Sequence, residues 1–386
     1  MARTKYWVWL SSFNIGSAVK SRLLDTFGDP EKIFFAPREE LAAARLSERE
    51  LSLLSDKSME RTAQILGDCD ELGIEIFTLQ DADYPERLRQ IADPPAVLYV
   101  RGKLPPVDDM ACIAMVGTRK TSPYGMKMAL RLGGEITQLG GVVVSGAAAG
   151  VDSAAMEGAL RAGGTAIGVL GTAIDEVYPR SSKPIFDQCA ATGALVSEYP
   201  PRMRTMPWNF KERNRIISGL SLGVVVVEAP AHSGSLVTAG HALEQNRDVF
   251  AVPGNADAAA CAGTNRLLRQ GAVPVTSGQD IMEHYRLDFQ PTQKPTQTAS
   301  EPIHLKKEID KAQDLLYIDL VEKIQSLPEA QKTVALALTQ PDMLADDITA
   351  KTGLPAQRVM AALTLLEIAG IVRQENKRYS LASQKG

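Results

Sequence analysis

The segment from Tyr199 to Gly219 combines basic and aromatic side chains in a pattern that suits a single nucleic-acid strand. Trp208 and Phe210 lie among its charges, and Glu212 is its single acid. Base stacking on aromatic rings, combined with cationic contacts to the backbone, holds single strands without sequence preference. A solvated basic helix start is the alternative, and the interleaved rings weigh against it. The basic residues of the segment are Arg202, Arg204, Lys211, Arg213 and Arg215.

Three further segments place glycines and hydroxyl groups where a phosphate could be held. In the first, Arg119 follows Gly117 and Thr118, and Ser122 is close behind. A guanidinium binds phosphate as a bidentate fork, and glycine lets the backbone approach closely. Taken alone, this segment is equally consistent with a surface arginine after a tight turn.

The other two segments run into predicted helices, whose first amides and dipole attract anions. One is the small-residue loop 145–152 (SGAAAGVD), and the other is 232–236 (HSGSL). Neither is a GxGxxG fingerprint or a Walker loop, because the glycine spacing differs and no Lys-Ser/Thr pair follows Gly150. Close packing of helix on sheet explains part of the glycine content, and helix capping explains Ser233 and Ser235.

Side chains for acid–base or metal chemistry are sparse. Glu228 and His232 lie close together in the sequence, but no second carboxylate or nucleophile accompanies them at a recognisable spacing. The cysteines are scattered singly, which favours buried thiols over a disulfide or a metal site. They are Cys69, Cys112, Cys189 and Cys261. We therefore predict a protein that is not an enzyme and that has no metal and no cofactor.

The elements that must position these segments form an α/β pattern between residues 109 and 286. Short β-rich runs alternate there with helical stretches, which predicts a Rossmann-like, doubly wound parallel sheet covered on both faces. In such a sheet, ligands bind beyond the carboxyl ends of the strands, so the four segments should meet. The β-rich runs are 111–116, 142–145, 166–170, 194–197, 223–227 and 249–252.

Different patterns flank this domain. Residues 1–66 predict a small helical domain, faintly similar to the helical hairpins of DNA repair proteins, and the proline-containing stretch 67–108 is interpreted as a connecting segment. Residues 287–312 are rich in Gln, Thr, Pro and Ser, which predicts a flexible linker. Residues 313–386 predict a winged helix-turn-helix domain with 355–369 as its presumed recognition helix.

Charge restricts where nucleic acid could bind. The presumed recognition helix has one basic residue, Arg358, and one acidic residue, Glu367. This composition suits binding in a DNA major groove poorly and favours contact with a protein. Lys377 and Arg378 on the wing keep a DNA role open. The net charge of the chain is −4 at pH 7, so a nucleic-acid surface must be a local patch. No membrane span or export signal is predicted, and we expect a cytoplasmic location.

Taken in order, the four segments and their neighbours resemble the DNA-processing A family (DprA, also called Smf). The similarity covers the whole α/β domain. Two positions depart from the family pattern: Lys211 replaces a usual proline, and Met156 stands where a histidine is common. The matching motifs are VGTR (116–119), SPYG (122–125), SGAAAGVD (145–152), YP (178–179), FKERNRIISGLS (210–221), VVEA (226–229), SGSLVTA (233–239) and VFAVPG (249–254).

The resemblance implies a single-stranded DNA-binding recombination mediator rather than an enzyme. Members of the family protect incoming DNA during natural transformation, load the RecA recombinase on it and form homodimers through the α/β domain. The extra charge of Lys211 should not weaken DNA binding, and Met156 argues against a catalytic role at its position. The DNA-binding residues implied are Thr118, Arg119, Ser122, Ser145, Gly146, Phe210, Lys211, Arg213, Asn214, Arg215, Gly234 and Ser235.

Two functions from other classes compete with this interpretation. Lysine-decarboxylase-like phosphoribohydrolases have an α/β domain of similar outline, but their PGG-x-GT segment with its catalytic Glu and Arg is missing from this sequence. The interpretation as a winged-helix transcription regulator is weakened because the third helix has few basic residues. Turnover of a nucleoside monophosphate would support the first alternative, and sequence-specific duplex footprints would support the second.

Overall fold

The computed structural model describes residues 3–285, 289, 327–338, 343–368, 371–375 and 378–381. The chain divides into two compact units, residues 1–292 and 293–386. The predicted linker 287–312 lies outside the described residues, apart from Phe289. Within the described ranges, no helix has the length and apolar character needed to cross a membrane.

The N-terminal region folds into six short helices. Local sequence determines two of the helix starts. The Asp29 carboxylate accepts a hydrogen bond from the Glu31 backbone N–H at 2.7 Å, and Ser47 and Glu50 form a reciprocal capping box. The helices are α1 (Thr4–Ser12), α2 (Ser17–Phe27), α3 (Pro30–Phe35), α4 (Arg38–Ala42), α5 (Glu48–Leu54) and α6 (Glu60–Leu72).

The rest of the first unit is built on one sheet of nine strands. The strands are β1 (Ile74–Thr78), β2 (Val97–Gly102), β3 (Cys112–Val116), β4 (Val142–Ser145), β5 (Ala166–Leu170), β6 (Ala194–Ser197), β7 (Gly223–Val226), β8 (Asp248–Ala251) and β9 (Val273–Pro274). Their order across the sheet is β1-β2-β6-β5-β4-β3-β7-β8-β9. The seven strands from β3 to β9 pair parallel with one another, which confirms the predicted α/β class.

Helices cover both faces of this sheet. Alternate side chains of β3 belong to two separate hydrophobic cores, Ile113 and Met115 to one and Ala114 and Val116 to the other. Because a strand buried on both faces needs apolar residues throughout, its sequence is a continuous apolar run. The helices are α7 (Glu86–Arg89), α8 (Pro123–Gln138), α9 (Val151–Arg161), α10 (Lys183–Thr192), α11 (Asn209–Gly219), α12 (Ser235–Glu244), α13 (Ala262–Arg269) and α14 (Gly278–Met282).

Residues 67–108, interpreted from the sequence as a connecting segment, contribute two strands to the sheet. β1 and β2 form an antiparallel pair, and β2 also pairs antiparallel with β6. Pro94 and Pro95 precede β2 instead of interrupting it, so they do not remove hydrogen bonds from the ladder. The hairpin therefore extends the sheet beyond the domain boundary that the sequence indicates.

The chain reverses its direction of winding beside β3. From β3 it passes through β4 and β5 to β6 on one side, and through β7 and β8 to β9 on the other. Because the loops after β3 and β7 leave adjacent strand ends in opposite directions, a crevice opens between them. The loops after β3, β4 and β7 border this crevice, and they carry three of the four segments that the sequence singles out.

The second unit is a winged helix, as predicted. Its strands pair in the order β10-β12-β11, and its core includes Val334 and Leu363. The elements are α15 (Glu329–Ala337), β10 (Met343–Leu344), α16 (Ala345–Thr352), α17 (Ala356–Ile368), β11 (Val372–Glu375) and β12 (Arg378–Leu381).

Helix α17 is the presumed recognition helix. Its exposed side chains include the apolar Met360 and Leu365 beside Arg358 and Glu367. This composition is consistent with the expectation of a protein contact. Of the two basic wing residues, Arg378 begins β12, and Lys377 lies outside the described residues.

Candidate nucleic-acid interface

A buried carboxylate fixes the loop that follows β3. Glu228 is 1% exposed, and its side chain accepts hydrogen bonds from the Ser122 backbone N–H at 2.8 Å and from the Ser122 hydroxyl. Its carbonyl oxygen accepts from the Thr118 N–H at 2.8 Å. Ser122 Oγ accepts in turn from the Gly125 N–H at 3.1 Å and caps α8. Glu228 and Ser122 thus hold the loop that presents Arg119.

Close contacts confine the loop between β4 and α9 to small residues. A Cβ atom on Gly146 would lie 2.6 Å from Arg213 Nη2 and 2.6 Å from Asp152 Oδ2. Gly150 adopts φ +88°, and a Cβ atom there would lie 2.4 Å from the Thr118 carbonyl oxygen. The two glycines therefore allow this loop to approach α11 on one side and the β3 loop on the other.

Arg213 is buried beneath these loops. Its Nη1 donates to the carbonyl oxygens of Gly146, at 2.7 Å, and of Val169. Burial lowers the pKa of Arg213 to about 10. Burial also raises the pKa of Asp152 to about 6, against the opposing charges of Arg213 and Arg119. A guanidinium that stays charged at pH 7 therefore lies at the floor of the crevice, where a low dielectric strengthens its field.

An open cavity of about 820 Å³ lies beyond the ends of β3 and β7. We call it the phosphate cavity. The cationic side chains of Arg119 and Lys211 line it and are exposed. The Arg119 guanidinium lies 5.5 Å from the centroid of the Phe210 ring, and the Tyr178 ring centroid lies 5.6 Å from that of Phe210. Exposed cations beside aromatic rings are the composition of a single-strand binding site.

The start of α12 forms another wall of the phosphate cavity. The hydroxyl groups of Ser233 and Ser235 lie 2.7 Å apart, and Gly234 between them is exposed. Asn214 Nδ2 donates to the Gly234 carbonyl oxygen at 3.4 Å, which connects α11 to this loop. Because backbone N–H groups point out of the first turn of a helix, this wall favours an anion.

Comparison with protein families is consistent with this architecture. The sequence model of the family described as DNA recombination-mediator protein A matches residues 75–286, which is more than half of the chain. The chain belongs to this family. The DprA winged helix domain matches residues 322–376 in addition. Both matches confirm the family that the sequence resembles.

Two curated relatives show how far the family likeness extends. Protein Smf of Synechocystis is 34% identical over 331 residues, which cover 81% of this chain and 81% of the relative. The DNA processing protein DprA of Bacillus subtilis is 41% identical over 213 residues, which cover 55% of this chain and 72% of the relative.

Two solved structures share the fold. The X-ray structure of DNA processing protein A from Streptococcus pneumoniae has a TM-score of 0.61 at 32% identity and covers 72% of this chain and 95% of its own. A Helicobacter pylori DNA processing protein A, described for its single-stranded DNA binding mode, has a TM-score of 0.51 at 30% identity. It covers 56% of this chain and 97% of its own.

The structure places two of the expected DNA-binding residues away from the phosphate cavity. Ser145 is fully buried, and its hydroxyl donates to the Met115 carbonyl oxygen at 2.6 Å. Arg215 forms an ion pair with Glu198 at 3.0 Å, and both side chains are 6% exposed. Residues two apart in a helix point about 200° apart, so Arg215 faces away from the side of α11 that carries Arg213. Both side chains are engaged within the fold, and neither faces the phosphate cavity.

The other expected residues lie at or beside the crevice. Ser122 lines a separate cavity of about 710 Å³ beside Tyr124 and Glu228. Gly146 lines a small cavity of about 90 Å³ that shares Arg119 and Phe210 with the phosphate cavity. The residues that line the phosphate cavity itself are Thr118, Arg119, Phe210, Lys211, Arg213, Asn214, Gly234 and Ser235.

The further residues that line the phosphate cavity and that the sequence did not predict include Asp152, Glu176 and Tyr178. Asp152 follows the glycine loop as the second residue of α9, and Tyr178 belongs to the YP motif that follows β5. Both residues lie inside motifs that match the family pattern, and that position was the sequence signal for their place at the site. A phosphate site predicts basic side chains, and the sequence pattern gives no reason to add a carboxylate to it.

Proposed function

We propose that this chain binds single-stranded DNA in the phosphate cavity, with consecutive phosphates held by Arg119, Lys211 and the backbone amides at the start of α12. The observation that carries the proposal is the grouping of exposed cations, aromatic rings and a helix start around one open cavity. The buried charge of Arg213 adds to the attraction. The Helicobacter pylori relative is described by its single-stranded DNA binding mode, which supports the same ligand class here.

Preference for single strands over duplex follows from the rings. Phe210 is partly exposed at the phosphate cavity, and Tyr178 beside it is 50% exposed. A base can stack on such a ring only when it is unpaired, whereas phosphates are presented by single strands and duplexes alike. Binding is therefore expected to tolerate any sequence and to select against paired bases.

Fluorescence anisotropy of labelled oligothymidylate and of a matched duplex, across a salt series, tests this proposal. The wild type should prefer the single strand. Arg119→Ala and Lys211→Ala should each weaken its binding and flatten the log–log salt dependence by roughly 0.7, the contribution of one neutralised phosphate on a single strand.

Lys103→Ala is the matched control. Lys103 is exposed and follows β2, whose last residue pairs with the first residue of β6. It therefore lies at the amino-terminal edge of the parallel strands, opposite the phosphate cavity. Tighter binding of duplex, or an equal loss in Lys103→Ala, would overturn the proposal and make the winged helix the first candidate.

The proposed role beyond binding is that of a recombination mediator in the cytoplasm, which protects an incoming strand during natural transformation and loads RecA on it. The family description supports this role. The test is the lag before RecA hydrolyses ATP on single strands that are already coated with single-stranded DNA-binding protein. Wild-type chain should shorten the lag, and Arg119→Ala should not. An unchanged lag with wild-type chain would reject RecA loading while leaving DNA binding intact.

Homodimerisation through the α/β domain completes the proposal, and the sequence resemblance supports it. Sedimentation equilibrium should give twice the mass of one chain at micromolar concentration. Truncation after residue 292 should preserve the dimer, because the α/β domain lies wholly in the first unit. A mass of one chain at every concentration would reject the proposed homodimer.

A further inference from the structure

A second cavity, of about 270 Å³, lies between the N-terminal helices and α11. We call it the base cavity. The starts of α2 and α5 line one side of it, and the segment after β6 together with the start of α11 lines the other. All of these elements belong to the first unit. The cavity has room for one planar heterocycle.

Two buried polar groups in the base cavity lack adequate partners. Lys20 is 5% exposed, and within the described part of the chain its Nζ makes a single hydrogen bond, to the Ser11 carbonyl oxygen at 3.4 Å. An ammonium group has three donors, and burial lowers the pKa of Lys20. Asn209 is 1% exposed, and its Oδ1 has no hydrogen-bond partner among the described residues.

These two groups define what a ligand must offer. Because a buried donor or acceptor without a partner is unfavourable, a suitable ligand would accept a hydrogen bond from Lys20 and donate one to Asn209. The edge of every nucleobase carries acceptors and donors side by side. A nucleobase therefore matches the base cavity in hydrogen bonding as well as in size.

The charge of the cavity walls offers a phosphate no net attraction. Three carboxylates line the base cavity, those of Glu50, Glu198 and Glu212, against the cations Lys20 and Arg49. Such a surface favours an uncharged group, in contrast to the phosphate cavity with its exposed Arg119 and Lys211. The two cavities thus suit the two chemically different parts of a nucleotide.

One helix separates the two cavities. Trp208, Asn209 and Glu212 lie at helical spacing and line the base cavity, whereas Phe210 and Arg213 line the phosphate cavity. Trp208 is the N-cap residue of α11 and is 51% exposed. An α-helix with its side chains is about 10 Å across, a distance that a few nucleotides of an extended strand span.

We propose that a single strand held in the phosphate cavity crosses the start of α11 and places one nucleobase in the base cavity, where it stacks on Trp208 and hydrogen-bonds to Lys20 and Asn209. This inference rests on the proposed function. It gives the N-terminal helices a direct part in DNA binding, because Lys20 belongs to α2. It also accounts for Trp208, a large aromatic side chain exposed next to a basic patch.

A cycle of two oligonucleotides and three variants of the full chain tests the inference. The probes are oligothymidylate and an abasic oligomer of equal length, which keeps the phosphates and lacks the bases. Trp208→Ala should weaken binding of oligothymidylate by about 5- to 100-fold, the effect of losing one stacked base, and leave binding of the abasic oligomer unchanged. Trp208→Phe should restore most of the loss. Arg119→Ala should weaken binding of both probes.

Lys20→Met removes the buried ammonium at similar volume and gives a second, independent measurement. It should reduce affinity for oligothymidylate only, and thermal unfolding checks that the chain remains folded. If Trp208→Ala and folded Lys20→Met both bind oligothymidylate like the wild type while Arg119→Ala weakens both probes, the base cavity is not used and the phosphate cavity stands. If Arg119→Ala has no effect on either probe, the proposed function itself fails.

Discussion

Gly146 leaves no room for a side chain beneath the proposed phosphate site. A Cβ atom there would lie 2.6 Å from Arg213 and from Asp152, and both neighbours are buried. Because neither can withdraw without breaking its own contacts, Gly146→Ala should lower the free energy of unfolding by about 1–3 kcal/mol. It should also weaken single-strand binding by displacing the Arg213 guanidinium. Urea denaturation and anisotropy on the same sample measure the two effects.

Gly67→Ala is the control for this substitution. Gly67 lies on the exposed side of α6, and a Cβ atom there has no neighbour within 4 Å. Replacing a helical glycine by alanine should raise the free energy of unfolding by roughly 0.5–1 kcal/mol and leave DNA affinity unchanged. Equal behaviour of the two alanine variants would show that the contacts of Gly146 are unimportant.

Asp152 is expected to make single-strand binding dependent on pH. Burial raises the pKa of its carboxyl to about 6, so the folded state holds this proton more tightly than the unfolded chain does. Its contribution to stability is therefore full at a pH below the unfolded value and is lost as the pH rises through about 6. Bound phosphate favours the same neutral form, so single-strand affinity should increase as the pH falls from 7.5 to 5.5. If bound phosphate raises this pKa by one further unit, the affinity should change by up to about tenfold across the titration.

The measurement is anisotropy with oligothymidylate, in a His232→Gln background that removes the imidazole next to the site. Asp152→Asn in the same background should bind more tightly at pH 7.5 and lose the pH dependence between 5.5 and 7.5. A pH dependence that persists in the asparagine variant would assign the titration to another group.

At the scale of elements, α11 explains which site residues could be predicted from the sequence. Its basic and aromatic residues are interleaved in the sequence, and that pattern alone predicts contact with a nucleic-acid strand. The spacing puts Phe210 and Arg213 on one face of the helix and Arg215 on another, but the sequence alone does not tell which face is turned to the cavity. Spacing alone would have separated Arg213 from Arg215. Assigning one of them to the cavity required the position of Glu198.

Two strands illustrate a second limit. The parallel strands were predictable because burial on both faces demands continuous apolar runs, as in β3 and β7. The β1–β2 hairpin is an edge addition that lies next to prolines, and its partner β6 is almost a hundred residues further along the chain. Pairing over such a separation leaves no local pattern in the sequence.

The buried ion pair on α11 gives a prediction at this scale. Arg215→Met leaves the Glu198 carboxylate buried without its partner and should lower the free energy of unfolding by about 3–5 kcal/mol. The salt slope of single-strand binding should stay unchanged, because Arg215 lies away from the phosphate cavity. Denaturation and salt titration measure the two quantities.

Arg38→Met is the matched control, because it breaks an exposed pair with Glu48 at 2.6 Å, in which the side chains are 48% and 86% exposed. Its effect on the free energy of unfolding should stay below about 1 kcal/mol. A salt slope flattened by roughly 0.7 in Arg215→Met would show that Arg215 contacts a phosphate after all.

At the scale of the whole molecule, a net charge of −4 must be reconciled with a polyanionic ligand. The proposed site does so by concentrating cations at one crevice, where Arg119, Lys211 and Arg213 outnumber the carboxylates Asp152 and Glu176. The salt dependence should accordingly reflect a few phosphates rather than many. A log–log slope of about −1.4 to −2.8 corresponds to two to four phosphates on a single strand. A much steeper slope would indicate a second cationic surface.

The division into two units predicts that DNA binding survives removal of the second unit. The phosphate cavity and the base cavity are formed entirely by residues of the first unit, and the winged helix has a core of its own. A chain that ends at residue 292 should therefore stay folded and bind oligothymidylate within about twofold of the full chain, since no phosphate contact is removed. Circular dichroism and anisotropy check the two parts. A tenfold loss of affinity in a folded truncated chain would mean that the winged helix, despite the few bases on α17, contacts the strand directly.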